Sequence, residues 1–471
     1  MISTGGWLRM TNHLSDHDTI AAIATPPGRG AIGIVRISGP EALRIGEQLF
    51  RGERGLAELK GFAAALGWVE DQSERLDQVL CLVMRAPRSY TREDVVEFHC
   101  HGGPEPLRRV LQAVLGRGAR LAEPGEFTRR AFLAGRIDLS SAEATAELIE
   151  SQIEAQARAA LKRLAGGLQA AIGGLRAQVL ELLALLEAGI DFADEEDIPV
   201  ISRPELRSRL AGLQAEVERL LQESERGRVV EEGFFAAILG RPNVGKSTLM
   251  NALLREDRVI VTPHPGTTRD VVEESVVLAG LLVRLSDTAG IRASQDAVEQ
   301  LSVDRSWRAA AGADLVLLLL DGSEPIQPED SALVAKLGRQ PVLLVLNKAD
   351  LKPALREEDA NRLCPGAPVV SISALTGQGL DRLEAKIVEL ASSGQSWPGE
   401  SAVLLNLRQR QSLRRAGEAL ARAQAALEEK LSDEFVAADL RPALAALGEI
   451  TGESVSEEIL DLIFSRFCVG K

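Results

Sequence analysis

"FFAAILGRPNVGKSTLMNAL", residues 234–253, passes from an unbroken apolar run into a glycine-containing loop and then into helical spacing. Its centre, Gly240 to Thr248, fits the pattern G-x-x-x-x-G-K-[ST] in the strand-to-helix setting that gives the pattern a mechanism. Glycines let the backbone curl so that successive N–H groups and a helix N-terminus face phosphate oxygens. Asn243, Val244, Gly245, Lys246, Ser247 and Thr248 would line the phosphates of a nucleotide, with Lys246 neutralising the β and γ groups and Ser247 ligating Mg2+.

The segment from about 233 to 392 alternates apolar strands with helical patterns: "FFAAIL", "EESVVLAG", "LLVRLSD", "DLVLLLLD", "PVLLVLN" and "APVVSIS". Such alternation predicts a mainly parallel sheet covered on both faces, with ligand chemistry at the carboxyl ends of the strands.

Further motifs follow at those ends in order. In "PGTTRD", Thr267 or Thr268 can give a hydroxyl to magnesium and sense the γ-phosphate. In Asp287-Thr288-Ala289-Gly290, the carboxylate can hold the metal through water and the Gly290 N–H can meet phosphate. Asn347-Lys348-Ala349-Asp350 reads the base, because the Asp350 carboxylate can accept two hydrogen bonds from the guanine edge that adenine cannot donate. Ser373-Ala374-Leu375 would close the base pocket through a backbone N–H. These residues predict GTP rather than ATP as the substrate.

A glutamine that orients the attacking water usually follows the DTAG glycine in small switch GTPases, but here Ile291 stands there. Arg269, Arg292, Asp296 and Glu299 are the nearby polar candidates, and the residues alone do not rank them. Asn243, inside the phosphate loop, could give a side-chain oxygen to a monovalent cation, or serve only as a turn-tolerant residue.

The remainder of the 471 residues divides by texture. After an extension, 1–17, residues 18–137 mix β-rich runs such as "AIGIVRIS" and "DVVEFHC" with one helical pattern near "PEPLRRVLQAVLGRG", predicting an α+β domain. Residues 138–232 are rich in Ala, Leu, Glu and Arg at helical spacing, and the texture resumes over 393–471. Two such segments can bury their apolar stripes against each other, so a helical domain interrupted by the inserted segment is expected. Gly166-Gly167 and Gly173-Gly174 are expected to interrupt its first long helical stretch.

A formal charge of −14 argues against a chain that coats nucleic acid through its overall field. RNA contact would need a local patch, for which Arg108, Arg109, Arg117, Arg120, Arg129, Arg130 and Arg136, or Arg408, Arg410, Arg414 and Arg415, are candidates beside the plainer reading of solvated helix faces. Cys81, Cys100, Cys364 and Cys468 lack the spacing of a zinc site or disulfide framework and fit a reducing cytoplasm. The start has no secretory pattern, and the apolar runs are too short for a membrane span. His99 and His101 would share one face of a strand with Cys100 on the other, a poor geometry for one metal.

"TIAAIATPPGRGAIGIVRISGP", "YTREDVVEFHCHGGP", "PGEFTRRAFLAGRIDL", "GRPNVGKST", "PGTTRDVVEE", "DTAGIR", "NKAD" and the terminal "FCVGK" together give the chain, from about residue 18 onward, a sequence that resembles the MnmE (TrmE) family of bacterial tRNA-modification GTPases. The resemblance implies a multidomain α+β, all-α and α/β protein. It would have a folate-binding-type N-terminal domain that dimerises, and a helical domain interrupted by a Ras-like P-loop GTPase domain.

It implies that Glu299, nine residues beyond Gly290, reaches the attacking water through a bridging water. It implies K+ beside the phosphates, held by Asn243, the Thr262 and His264 carbonyls and the Thr267 hydroxyl, with Thr268 left for Mg2+. Arg36, Glu97 and Arg136 align with positions contacting 5,10-methylenetetrahydrofolate or 5-formyltetrahydrofolate; Arg136 stands where most relatives have lysine. Cys468 becomes a modification-site residue, and "FCVGK" departs from the commoner Phe-Cys-Ile-Gly-Lys at one position. The implied partners are tRNA and an FAD protein resembling MnmG (GidA), acting together at C5 of wobble uridine. Ribosome-assembly GTPases also carry "GRPNVGKS", but the first domain and "FCVGK" weigh against a binding switch of that kind.

Overall fold

Alternation along the strand Val95–His101 sorts the first part of the molecule into two faces: Val96, Phe98 and Cys100 point into a core, while Glu97, His99 and His101 point the other way. In the computed structural model the described residues are 18–191, 201–254, 273–287, 307, 309–338, 340–392 and 404–471. They form two compact units, one joining residues up to Ala146 with Gly448–Lys471 and the other spanning Glu147–Leu447.

The first unit holds β1 (Ile20–Ile23), β2 (Ile32–Ser38), α1 (Ala42–Leu49), β3 (Phe50–Gly52), β4 (Ala63–Asp71), β5 (Glu74–Met84), β6 (Val95–His101), α2 (Pro104–Leu115), β7 (Arg120–Leu121) and α3 (Glu126–Leu133). The sheet order is β3-β4-β5-β6-β2-β1-β7, antiparallel except where β1 meets β7. Where one helical pattern was expected there are three helices. Helix α1 places Ala42, Ile45, Gly46 and Leu49 on one buried stripe, and α2 does the same with Leu107, Val110, Ala113 and Val114. Both cover the face bearing Val35, Ile37, Val79 and Phe98. The opposite face carries Arg36, Glu97 and His99, and a small cluster of Ile20, Ala22, Ala122 and Phe127.

Helix α4 (Leu139–Glu150) begins the second texture, and the division between units falls inside it. Helix α5 (Glu154–Leu164) ends at Gly166, whose φ of +86° suits glycine. Helix α6 (Gly167–Asp191) then runs unbroken through Gly173-Gly174. The expected second interruption is absent because burial of Leu168, Ile172, Leu175, Val179, Leu182 and Leu186 outweighs the roughly 1 kcal/mol that each helical glycine costs. Among the described residues α6 is the one helix long and apolar enough to cross a membrane, but that buried stripe and the interspersed Arg176, Glu181 and Glu187 make it a bundle helix.

Helix α7 (Arg203–Glu232) buries Leu206, Leu210, Leu213, Val217 and Leu220 at alternating spacings of three and four. It leads through Gly233, φ +81°, into β8 (Phe234–Leu239) and α8 (Lys246–Leu253). The chain continues as β9 (Glu273–Leu278), β10 (Leu281–Asp287), β11 (Leu315–Asp321), α9 (Pro328–Leu337), β12 (Val342–Asn347), α10 (Glu357–Leu363), β13 (Val369–Ser371) and α11 (Leu380–Ser392). The sheet order is β13-β12-β11-β8-β10-β9; only the edge pair β9 and β10 is antiparallel. Core residues lie on both faces, as the fully apolar strands require.

The chain then returns in α12 (Leu407–Glu428), capped by Asn406, which accepts from the Gln409 N–H while the Gln409 side chain accepts from its own. Its Leu413, Ala416, Leu420 and Leu427 stripe faces α7, with the Gly417 position meeting Val217. Arg163 pairs with Glu147 and Glu231, and Arg410 with Glu232, where α7 gives way to β8. Helix α13 (Asp433–Thr451) and α14 (Glu457–Phe464) follow. Residues 448–471 pack with the first unit, where Leu460, Phe464 and Phe467 form a cluster with Leu139 and Ala142.

Candidate functional site

Three left-handed residues shape the phosphate loop: Gly240 at φ +155°, Asn243 at +64° and Gly245 at +101°. Asparagine tolerates this region better than most residues, and any Cβ at Gly245 would collide with the Asn347 amide nitrogen. Gly245 caps α8, whose N-terminus therefore faces the loop, while Leu249, Met250 and Leu253 bury the helix's inner side. Buried Val244 roots the loop in the core. Lys246 Nζ donates to the Gly240 and Arg241 carbonyls, both at 2.7 Å, which stations the ammonium within the loop. Outside it, Arg241 Nε bonds Asp330 Oδ1 at 2.8 Å on α9.

The base end is assembled from the ends of β11, β12 and β13. Asn347 Nδ2 donates to the Val244 carbonyl at 2.8 Å, and its Oδ1 accepts from the Ala374 N–H at 2.9 Å, so one side chain joins the phosphate loop to the Ser373 loop. Ser373 Oγ donates to Asp350 Oδ1 at 2.5 Å, fixing the carboxylate. Ala374 is buried and Leu375 is 78% exposed, which leaves Leu375 as the outer lip. Lys348 Nζ reaches Asp321 Oδ2 at 2.5 Å. The backbone of Asp287 ends β10 in register with Ile238. Thr262, His264, Thr267, Thr268, Thr288, Ala289, Gly290 and Glu299 lie outside the described residues.

A second constellation lies in the first unit. Arg36 and Glu97 are directly opposite across β2 and β6, and Arg36 Nε bonds Glu97 Oε1 at 2.7 Å. The other Glu97 oxygen meets His99 Nε2 at 3.2 Å. The Arg36 guanidinium stands 5.5 Å from the Phe127 ring centre, and Arg136 stands 5.1 Å from that of Tyr90, which packs on the same cluster. Arg136 also donates to the Ser89 carbonyl and Tyr90 shares a 3.1 Å hydrogen bond with Thr128, so the three predicted side chains share one aromatic-floored face.

The terminal segment comes to the same place. Arg36 donates to the Gly470 carbonyl at 3.3 Å, Val469 bridges Pro124, and Phe127 N–H donates to the Lys471 carbonyl at 3.2 Å. Gly470, at φ +96°, lies against the Ile23 backbone where a Cβ would not fit. Cys468 is exposed there. Burial, by contrast, pushes the Cys100 thiol up to about 12 and raises Cys81 further.

A family model described as "MnmE helical domain" matches residues 139–468, and one described as "GTP-binding protein TrmE N-terminus" matches 19–136. The tRNA modification GTPase MnmE of Symbiobacterium thermophilum is 50% identical over 96% of this chain and 99% of its own. Those of Synechococcus sp. (48%; 96% and 98%) and Bacillus subtilis (43%; 96% and 100%) are similar. The chain belongs to the MnmE family of tRNA modification GTPases. The phosphate loop, the parallel sheet that carries it and the guanine-type base motif are thus parts of a GTPase.

The arginines of the first half are largely held in ion pairs. Arg117 pairs with Asp71, Arg129 with Asp461, Arg108 with Glu105 and Arg109 with Glu74. Arg120 and Arg130 share Asp18 and the buried Glu126. Near the end, Arg410 is buried against Glu232. His101 takes Asp77 as its partner through Nδ1 at 2.6 Å, as His99 takes Glu97. Sequence reasoning missed Asp321, Tyr90, Phe127 and Gly470. Only Asp321 had a local signal, a carboxylate closing an apolar strand.

Proposed function

We propose that this chain is a potassium-stimulated GTPase that works in the cytoplasm. With an MnmG-like flavoprotein and a folate one-carbon unit, it adds an aminomethyl or carboxymethylaminomethyl group to C5 of wobble uridine in tRNA. The observation that carries the reading is the Arg36 bond to Gly470, which brings the "FCVGK" segment onto the same face as Arg36, Glu97 and Arg136. Arg36 and Arg136 can meet the acidic glutamyl tail or a formyl oxygen, and Glu97 the N–H edge of a pterin. Cys468 stands at that face as a modification residue.

In the GTPase, Lys246 meets the β and γ phosphates, Ser247 and Thr268 hold magnesium, and Asp350 selects guanine with Asn347 and Ser373 holding its surroundings. Thr267, Thr262, His264 and Asn243 form the potassium shell, and Glu299 orients the attacking water. When bound, the two cations offset the negative charge that builds on the phosphates during transfer. A second copy of the chain covers the outer sheet face, where Ile32, Leu66 and Leu80 remain 61%, 64% and 43% exposed.

The test is reconstitution with the flavoprotein and unmodified tRNA, followed by nucleoside analysis with GTP, folate or potassium withheld in turn. Modified uridine is expected only in the complete mixture. Product formed without folate would overturn the one-carbon assignment, and product formed equally in sodium would overturn the potassium assignment.

A further inference from the structure

Asp321 closes β11 opposite Asn347, the last residue of β12. It is 5% exposed, and both of its oxygens are committed: Oδ1 accepts from the Ser323 N–H at 3.0 Å and hydroxyl at 2.6 Å, and Oδ2 from Lys348 Nζ at 2.5 Å. The backbone around it is equally fixed, since the Gly322 N–H donates to the Asn347 carbonyl at 2.8 Å and a Cβ at Gly322 would come within 2.8 Å of that oxygen. A carboxylate held in this way cannot follow a wandering lysine; the lysine must come to it.

Lys348 has φ +67°, a left-handed conformation that costs a side-chain-bearing residue roughly 1–2 kcal/mol. That one residue turns the chain. After it the Ala349 N–H donates to the Ile372 carbonyl at 2.9 Å, the Leu351 N–H returns to the Lys348 carbonyl at 2.9 Å, and Asp350 arrives at Ser373. The ion pair to Asp321 is the side-chain contact that offsets the strain. Burial alone would raise the Asp321 carboxyl, but Lys348 and Ser323 hold it below its ordinary range, so it is charged at neutral pH.

We propose that Asp321 is a positioning residue for guanine selection, which pins Lys348 in its left-handed turn so that Asp350 is presented to the base. This rests on the reading of Asp350 as the guanine selector. The phosphate end has anchors in which Asp321 takes no part, the Asp330 bond to Arg241 and the Lys246 bonds to the Gly240 and Arg241 carbonyls, so Asp321 governs affinity and base choice rather than the chemical step.

Asp321→Asn keeps shape and removes charge. In the full-length protein it should raise the Kd for GTP and for GDP together by about tenfold, the worth of a charge-assisted bond. Discrimination of guanine from hypoxanthine and xanthine nucleotides should narrow, while single-turnover hydrolysis at saturating GTP stays within about twofold. Lys348→Met cuts the pair from its other end, and because the two act as one device the double variant should lose little more than either alone. Parental affinity in either folded variant, additive losses, or a kcat that falls with unchanged affinity would overturn the proposal. Asp350→Asn separates it from the underlying reading: a switch of preference to xanthosine triphosphate upholds Asp350 as selector whatever Asp321 does, and no switch refutes the selector itself.

Discussion

The Asn347 side chain leaves the end of its strand and donates to the Val244 carbonyl, 2.8 Å away in the phosphate loop. Its oxygen meanwhile accepts from Ala374, so the phosphate and base ends share one buried fastening. Asn347→Ala would leave a buried carbonyl and a buried N–H without partners, each costing about 1–3 kcal/mol. Unfolding of the variant should occur several degrees lower, and its Kd for GTP and GDP should rise at least about tenfold. Fluorescent-nucleotide titration beside calorimetry checks this, and unchanged values in both would refute the fastening role.

Potassium dependence is best tested with glycine at Asn243 rather than alanine. At φ +64° an alanine would add backbone strain, whereas glycine removes the side-chain oxygen and relaxes the loop. The parental protein should hydrolyse GTP at least about tenfold faster in potassium than in sodium, equivalent to about 1.4 kcal/mol at the transition state. Asn243→Gly should bring the ratio near one with nucleotide affinity retained. Phosphate release in matched chloride salts gives the answer; a preserved ratio removes Asn243 from the cation shell.

Glu97→Gln keeps the shape of the residue facing Arg36 but discharges it. Binding of 5-formyltetrahydrofolate to the full-length protein should weaken by about ten- to a hundredfold, the range for a charged hydrogen bond. GTP hydrolysis should be unaffected. Calorimetric titration showing parental folate affinity would send the search elsewhere.

Acid should weaken the cluster of Asp18, Arg120, Glu126 and Arg130. Burial alone would raise Asp18 and Glu126, but the two guanidinium groups hold both below the ordinary carboxylate range. Their folded values are depressed, so the stability they add is fully present above about pH 4.5 and is lost as pH falls through the folded values. Arg130→Met should therefore cost about 1–3 kcal/mol at pH 7, because Asp18 and the buried Glu126 keep Arg120 but lose their second cation. Measured from pH 7 down to pH 3, the gap between parent and variant should close; a gap independent of pH would mean that the arginine matters through packing alone.

The GTPase segment was readable because its strands are continuous apolar runs and its loops carry fixed residue types. Strand β8 occupies the whole of "FFAAIL", and the phosphate loop follows at once. Helix α1 escaped notice because eight residues make only two turns, too short a window for periodicity. Gly173-Gly174 misled because local propensity was overruled by burial around it. The arginines stayed undecided for another reason: sequence shows where charges lie but not which carboxylates reach them, and Arg130 meets Asp18 from 112 positions away. No local pattern could announce that Gly470 lies beside Arg36, a pairing across 434 positions.

That last pairing bears on the order in which the molecule can be made. The GTPase sheet is encoded in one continuous stretch and can close as soon as that stretch has left the ribosome. The first sheet emerges earliest, yet Phe464 and Phe467, which pack on Leu139 and Ala142, and Val469, which bridges Pro124, emerge at the very end. Between those moments the Phe127 N–H and the Arg36 guanidinium wait without the Lys471 and Gly470 carbonyls, and Leu139 and Ala142 wait without their aromatic cover, while some 300 residues are still to come. Protease challenge of chains arrested near residue 440 should find the GTPase segment resistant and residues 120–140 cleavable, and equal resistance would show that the first unit closes unaided. The midsection of this protein is thus expected to mature before its beginning.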